Sequence, residues 1–351
     1  MSGSAVGGGH GSAVGETSSL RERLVENLRD TLWRAYTGEN SGALILVMLV
    51  VIAIFAVNLR ETTYFSTTNF LSIVQQTAAI TVMAIPTVFV ISSGEIDLSI
   101  AAVVPVAAYI AALVDPGYGW ALAALAAVAF GAAVGLVNGI VSVWFGIPSF
   151  VVTLGTLSVL QGLALRITNV LSVAVDDTSF LAIFGTGKVG PVPVMVLWTL
   201  GVVVIGYLIL AWTPTGRAVL ATGANQNAAR FSGIRTSRVK IGALVASGAA
   251  GAVAGLLYVG QYGAASYTLG TSDLLTVIAA VIIGGTLLAG GKGSVVGALV
   301  GSLLIGTLNN GLVIIGLANP EQLMARGVII IGAVLFSART RGGPRRARKT
   351  A

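Results

Sequence analysis

The chain has 351 residues, 55% hydrophobic and only 9% charged, with a mean hydropathy of +0.92; a soluble globule carries roughly a quarter charged residues, so this is a polytopic membrane protein. Cysteine is absent and the single histidine is His10, which excludes a disulfide framework, a Cys/His metal site, a thiol nucleophile and a Ser-His-Asp triad. The net charge of +7 records orientation rather than nucleic-acid binding, because Lys and Arg are held on the cytoplasmic side of a membrane.

Residues 1–19 are Gly/Ser-rich, lack an apolar stretch of signal-peptide length and are expected to be disordered. Leu20, Leu24, Leu28, Leu32 and Tyr36 then recur every fourth position beside Arg21, Arg29 and Arg34. That pattern predicts an interfacial amphipathic helix over 20–38. A transmembrane block, 43–338, follows. A bilayer core about 30 Å thick needs roughly 20 apolar residues per helix, and ten windows of that kind run over 43–59, 70–92, 98–114, 120–145, 149–170, 192–212, 241–262, 274–290, 295–316 and 323–338. The fold expected is all-α with about ten transmembrane helices. The short connections at 93–97 and 146–148 could themselves lie inside the membrane.

Orientation follows from the basic residues. Sixteen of the 20 fall on one side: the arginines before the first span, Arg217, Arg230, Arg235, Arg238 and Lys240 after the sixth, Lys292, and the basic tail 339–351. Both termini are therefore expected in the cytosol of an inner-membrane protein. Gly94-Glu95-Ile96-Asp97-Leu98 before the third span resembles Gly270-Thr271-Ser272-Asp273-Leu274 before the eighth, and Asn138-Gly139 resembles Asn310-Gly311. The first members face inward and the second outward, as an inverted repeat of spans 2–5 and 7–10 would require.

Gly131 and Gly135, Gly251 and Gly255, and Gly297 and Gly301 are spaced four apart, which lets helix backbones approach closely. The run Gly285 to Ser294 fails as a phosphate loop, since Lys292 is followed by Gly293 and the required glycine position is Thr286. The chain thus has no nucleotide-hydrolysing loop of its own and is not expected to be an enzyme. Polar groups in apolar spans mark either interhelical bonds or a path: Gln75, Gln76, Asn138, Gln161, Asn309 and Asn310. Such amides suit a neutral polyhydroxylated solute. Glu95, Asp97, Ser99 and Asp273 sit at helix entrances as capping or gating residues, with Asp97 or Ser99 capping the third span. The one long polar connection, 213–240, can present a short helix to another protein. In it Asn227-Ala228-Ala229-Arg230 is helix-forming, Ala228 and Ala229 allow close docking, and Gly223 and Gly233 punctuate the segment.

At these residues the chain resembles the membrane subunit of a bacterial ATP-binding-cassette importer, the permease family of ribose-type monosaccharide systems. Gly94 to Ser99, Asn138-Gly139 with Ile147 to Thr156, the loop 216–234, and Ile278 to Thr286 continuing through Gly290 to Ser294 carry the resemblance. Three departures bear on the solute: Glu95 replaces a glycine of the first signature, Gln161 stands where many relatives carry arginine, and the acid usual before Ile278 is displaced to Asp273. The resemblance implies a pathway formed by two permease chains, two cytosolic ATPase subunits gripping the coupling loops, and an extracytoplasmic binding protein. Arg217, Gly223, Asn225, Asn227, Ala228, Ala229, Arg230 and Gly233 would form the ATPase contact. ATP and Mg would be used by the partner subunit, no cofactor being bound by this chain. A pentose such as ribose or xylose is the expected solute. An ion-coupled secondary transporter using Glu95, Asp97 and Asp273, and an importer of the same kind for an amino acid or nucleoside, are the alternatives.

Overall fold

The computed structural model describes residues 66–318 except Thr168, together with Ile52, Phe55, Tyr64, residues 320–325, Gly327 and Val328. The segments 1–19 and 20–38, nearly all of the first span, most of the tenth and the basic tail lie outside the described residues. Helix dominates: α1 (Thr67–Ser92), α2 (Ile100–Phe145), α3 (Ser149–Ile167), the short α4 (Thr178–Leu181), α5 (Val194–Trp212), α6 (Pro214–Ala224), α7 (Gln226–Phe231), α8 (Thr236–Tyr262), α9 (Asp273–Ile283) and α10 (Val295–Ile314). Two small antiparallel pairings complete it: Val173–Ala174 with Ala264–Ala265, and Lys188–Val189 with Val192–Pro193.

Six of these helices are long and apolar enough to cross a membrane. α2 crosses twice. Its 46 residues would make a rod of about 69 Å at 1.5 Å per residue, more than double a bilayer core. The chain turns instead at Gly119, whose φ of 79° and ψ of 164° break the helix; this backbone geometry is open mainly to glycine. The gap between the windows 98–114 and 120–145 thus narrows to a single non-helical residue, because Asp115 to Tyr118 stay helical up to the break. Exposed Trp144, Phe145 and Trp212 mark one end of the bundle and Tyr118 and Trp120 the other, as interfacial aromatic belts do.

The span expected over 274–290 is shorter than its apolar window. α9 has 11 residues, roughly 16 Å of helix, and stops at Gly284 because Gly284, Gly285, Gly290 and Gly291 leave 284–294 without helical continuity. Residues 284–294 instead run as a loop to the Ser294 cap of α10, where Ser294 Oγ accepts from Gly297 N at 2.9 Å.

α8 occupies the centre and packs on both halves of α2. A Cβ added at Gly131 would run into Gly248 O, at Gly135 into Leu244 O, and at Gly139 would meet Ile241 Cα at 2.9 Å. The second half of α2 therefore runs antiparallel to α8, backbone against backbone. On its other face, a Cβ at Gly251 would meet Ile100 O at 2.8 Å and one at Gly255 would meet Val104 O at 2.6 Å. The first half of α2 accordingly runs parallel to α8 and begins level with its middle. α1, almost wholly buried over Thr77–Ser92, packs against α8 and α10, and Thr81 Oγ1 and Ser302 Oγ lie 2.7 Å apart.

If these glycine contacts set the spacing, G135L will destabilise the detergent-purified protein by about 1–3 kcal/mol or more, the usual cost of overpacking. G162L, at a position where an added Cβ meets nothing within 4 Å, will leave it unchanged. Thermal unfolding with size-exclusion chromatography distinguishes the two.

Candidate functional site

The chain between α1 and α2 is too short to leave the bilayer and return. Residues 93–99 instead climb beside α8, from Lys240 to the level of Ser247, and start α2 inside the protein. With no water in the hydrocarbon core, every polar group of such a segment needs an internal partner. α3 supplies two: Ser149 Oγ accepts from Ile96 N at 3.0 Å and Thr153 Oγ1 from Leu98 N at 3.1 Å. Asp97 Oδ1 accepts from Ser99 N at 2.9 Å and Ser99 Oγ at 2.6 Å. Of the two capping candidates Asp97 holds the entrance of α2, since the Ser99 side chain makes no cap bond to a helical N–H. Ser99 Oγ in turn accepts from Asn138 Nδ2 at 2.9 Å, and Asn138 Oδ1 accepts from Thr156 Oγ1 at 2.6 Å. Ser247 of α8 faces the Asp97 carboxylate from across the cluster.

Glu95, nearly buried, pairs with Lys240 at 2.5 Å. Lys240 Nζ also donates to Gln226 Oε1 of α7 at 3.1 Å. One ammonium group therefore ties the intramembrane segment to the polar connection 213–240. That connection is not a single loop helix but two helices. Thr213 caps α6 through Gly216 N at 3.3 Å with Pro214 at its first position, and Asn225 caps α7 through Ala228 N at 3.0 Å. Asn227, Ala228, Arg230 and Phe231 are exposed, and Phe231 is 93% exposed. Ala229 is turned the other way and is 4% exposed; its methyl packs on the protein body, so a change there would read packing rather than docking. Arg230 Nε donates to Thr236 Oγ1 at 3.0 Å, Arg217 is exposed, and Gly233, at φ 85°, ends the turn after α7.

Gly223 lies at a three-way backbone junction. A side chain there would run into Ser92 O at the end of α1 and meet Gly291 N at 2.6 Å, and Gly291 N itself donates to Ser92 O at 2.9 Å. α6, α1 and the loop 284–294 thus touch through main chain alone.

On the opposite side, residues 263–272 dip back along α8. Gly270 abuts Val104, Asp273 accepts from the Tyr258 hydroxyl, and α9 begins there. Gly94 and Gly270 both have positive φ, 85° and 71°, and each precedes by three residues a buried Asp facing α8 at a helix entrance. The geometry of these two segments matches the inverted relation expected from the sequence.

The amides divide. Asn138 serves the Asp97 cluster, and Asn310 exchanges two hydrogen bonds with Asn69, at 3.0 and 2.9 Å; both hold helices together. Gln76 and Gln161 are exposed, Gln75 and Asn309 partly so, and Asn309 Oδ1 has no partner among the described residues. Lys240, Gln226, Ser149, Thr153, Thr156, Ser247 and Phe231 were not singled out from sequence. Lys240 looked like one more topology-setting base; Ser149, Thr153 and Thr156 fell within the Ile147 to Thr156 signature without a role of their own, and Phe231, a lone aromatic in a polar connection, carried a local signal.

A profile of the family described as "Branched-chain amino acid transport system / permease component" matches residues 69–336. The ribose import permease protein RbsC of Escherichia coli (strain K12) is 35% identical over 298 residues, 83% of this chain and 91% of that one. RbsC of Bacillus subtilis (strain 168) is 34% identical over 287 residues, covering 81% and 89%. The D-allose transport system permease protein AlsC of Escherichia coli (strain K12) is 32% identical over 293 residues, covering 82% and 88%. No solved structure gives a significant match.

The Glu95–Lys240 pair generates a direct test. K240M will strand a nearly buried carboxylate and destabilise by about 3 kcal/mol, whereas adding E95M to it will restore most of the loss. A double-mutant cycle on melting temperature in detergent measures this; additive losses would show that the pair is not coupled.

Proposed function

Because this chain belongs to the permease-component family of ATP-binding-cassette transport systems, we propose that it is the membrane-spanning subunit of an importer for a neutral monosaccharide of the ribose type. ATP and Mg are used by a separate cytosolic subunit, and an extracytoplasmic binding protein delivers the solute to a pathway completed by a second permease chain. The observation that carries this reading is α7: a short, independently capped helix outside the apolar bundle, presenting a nearly fully exposed Phe231. An exposed aromatic on a rigid element is the kind of anchor that dominates protein interfaces. Arg217, Asn227, Ala228 and Arg230 surround it with polar and small groups that suit a cleft in a soluble partner.

Movement of a docked α7 has two physical routes into the membrane. One is Lys240, bonded to Gln226 of α7 and to Glu95 of the intramembrane segment. The other is the main-chain junction of Gly223 with Ser92 and Gly291, which has no side chain to deform. Both favour rigid transmission of a push from outside over an ion gradient sensed inside. The carboxylates that an ion-coupled carrier would use are engaged: Glu95 by Lys240, Asp97 by Ser99 and Asp273 by Tyr258. A sugar asks for donors and acceptors without charge, and the amides free for it are Gln75, Gln76, Gln161 and Asn309. The ribose and allose permeases among the relatives support that class of solute.

Proteoliposomes holding this chain with its cognate ATPase and binding protein will take up ribose or allose only with ATP inside the ATPase compartment. F231A will lower that uptake at least about tenfold, the scale of a lost interface anchor, without lowering the melting temperature of the isolated permease. Uptake that survives ATP depletion and stops with an uncoupler would overturn the reading.

A further inference from the structure

α5 and α8 both pack on α1 but scarcely touch one another, and the gap between them on the cytoplasmic half is an apolar groove of about 370 Å³. Pro86 and Phe89 of α1 form its floor, Ile205 and Ile209 of α5 one wall, and Gly242 and Ala246 of α8 the other. The floor is tight, since Gly206 sits directly against Ile85. The groove is open sideways, toward the bilayer, with Ile205, Gly242 and Ala246 exposed. Its cytoplasmic end is different in kind: Thr215, in the first turn of α6, and the exposed Arg238 line it there.

Among the described residues Arg238 makes no ion pair and no side-chain hydrogen bond. The chain offers it no nearby acid by sequence either, because no Asp or Glu occurs between Asp177 and Asp273. A hydrocarbon-lined slot ending in an unpaired guanidinium at the cytoplasmic interface has one complementary occupant in its own environment. We propose that the groove binds an acyl chain of an anionic phospholipid of the cytoplasmic leaflet, with the headgroup phosphate held by Arg238 and Thr215. Guanidinium and phosphate form charge-assisted, often bidentate, hydrogen bonds, and basic pockets between transmembrane helices on this side favour anionic headgroups. The N-terminal end of α6 adds positive dipole at the same place. A second copy of the chain is a poorer match, because residues 178–272 bring only positive charge to meet Arg238. A sugar is poorer still, since the walls offer it no amide.

The inference depends only on the orientation of the chain in the membrane and stands or falls apart from the transport reading. Its test uses the full-length protein in detergent, titrated with phosphatidylglycerol or with phosphatidylcholine of the same acyl chains, read by melting temperature and by native mass spectrometry of retained lipid. Wild type will prefer phosphatidylglycerol. R238Q will bind it roughly fivefold more weakly, the ratio that about 1 kcal/mol per basic residue near an anionic surface implies, and R238K will keep most of the preference. G242L fills the groove at a position where an added Cβ meets no protein atom within 4 Å, and will lower retention of both lipids in a protein that still melts cooperatively. An undiminished phosphatidylglycerol preference in R238Q would overturn the assignment. So would a G242L variant that loses its dimer while its lipid response is unchanged, which would make the groove a contact between copies.

Discussion

The architecture depends on α8 lying against both halves of α2 at main-chain contact. Lipid tails are as apolar as leucine, so helices in a membrane gain little from hiding apolar side chains from each other and associate instead by close packing. Gly131, Gly135 and Gly139 face α8 on one side, and Gly251 and Gly255 of α8 accept the start of α2 on the other. Any larger residue along these stripes would push the helices apart. The spacing they set is what brings Ser247 opposite Asp97 and Lys240 opposite Glu95.

That spacing makes the two dipping segments tolerable. Non-helical backbone at membrane depth survives only where protein satisfies it. Residues 93–99 are satisfied by hydroxyls of α3, by their own Asp97 and by an amide from α2. A polar network of this kind is costly when incomplete and rigid when complete. The bonds that this network does make give Lys240 consequence: the group that neutralises Glu95 also holds α7, so the outer surface of the connection and the interior of the bundle share one ammonium. The Gly223 junction adds a second contact, equally stiff because only main chain meets there.

Much of this was legible in the chain. The apolar windows identified α1, both halves of α2, α3, α5, α8 and α10 to within a few residues, since length and hydropathy are local properties of a membrane helix. The paired Gly94 and Gly270 motifs, each with its Asp three residues on, foretold two alike helix entrances. The apolar window misled at α9, where Val277 to Ile283 continue into Gly284 and Gly285; hydropathy cannot see that a glycine-rich run has stopped being a helix. Ala229 misled for a related reason. Its neighbours Ala228 and Arg230 are exposed while it is buried, and in a helix of six residues the facing is set by what the helix rests on.

The sequence by itself determined the class of solvent, the placing of most spans in the described region, and the absence of a phosphate-binding loop, because each follows from counting residue types within a short window. Only the tertiary structure decided which polar groups are partners. Glu95 and Lys240, Asn69 and Asn310, and Ser92 and Gly291 stand far apart along the chain. They meet because glycine stripes set how closely the helices approach, and that distance is not a property of any one segment.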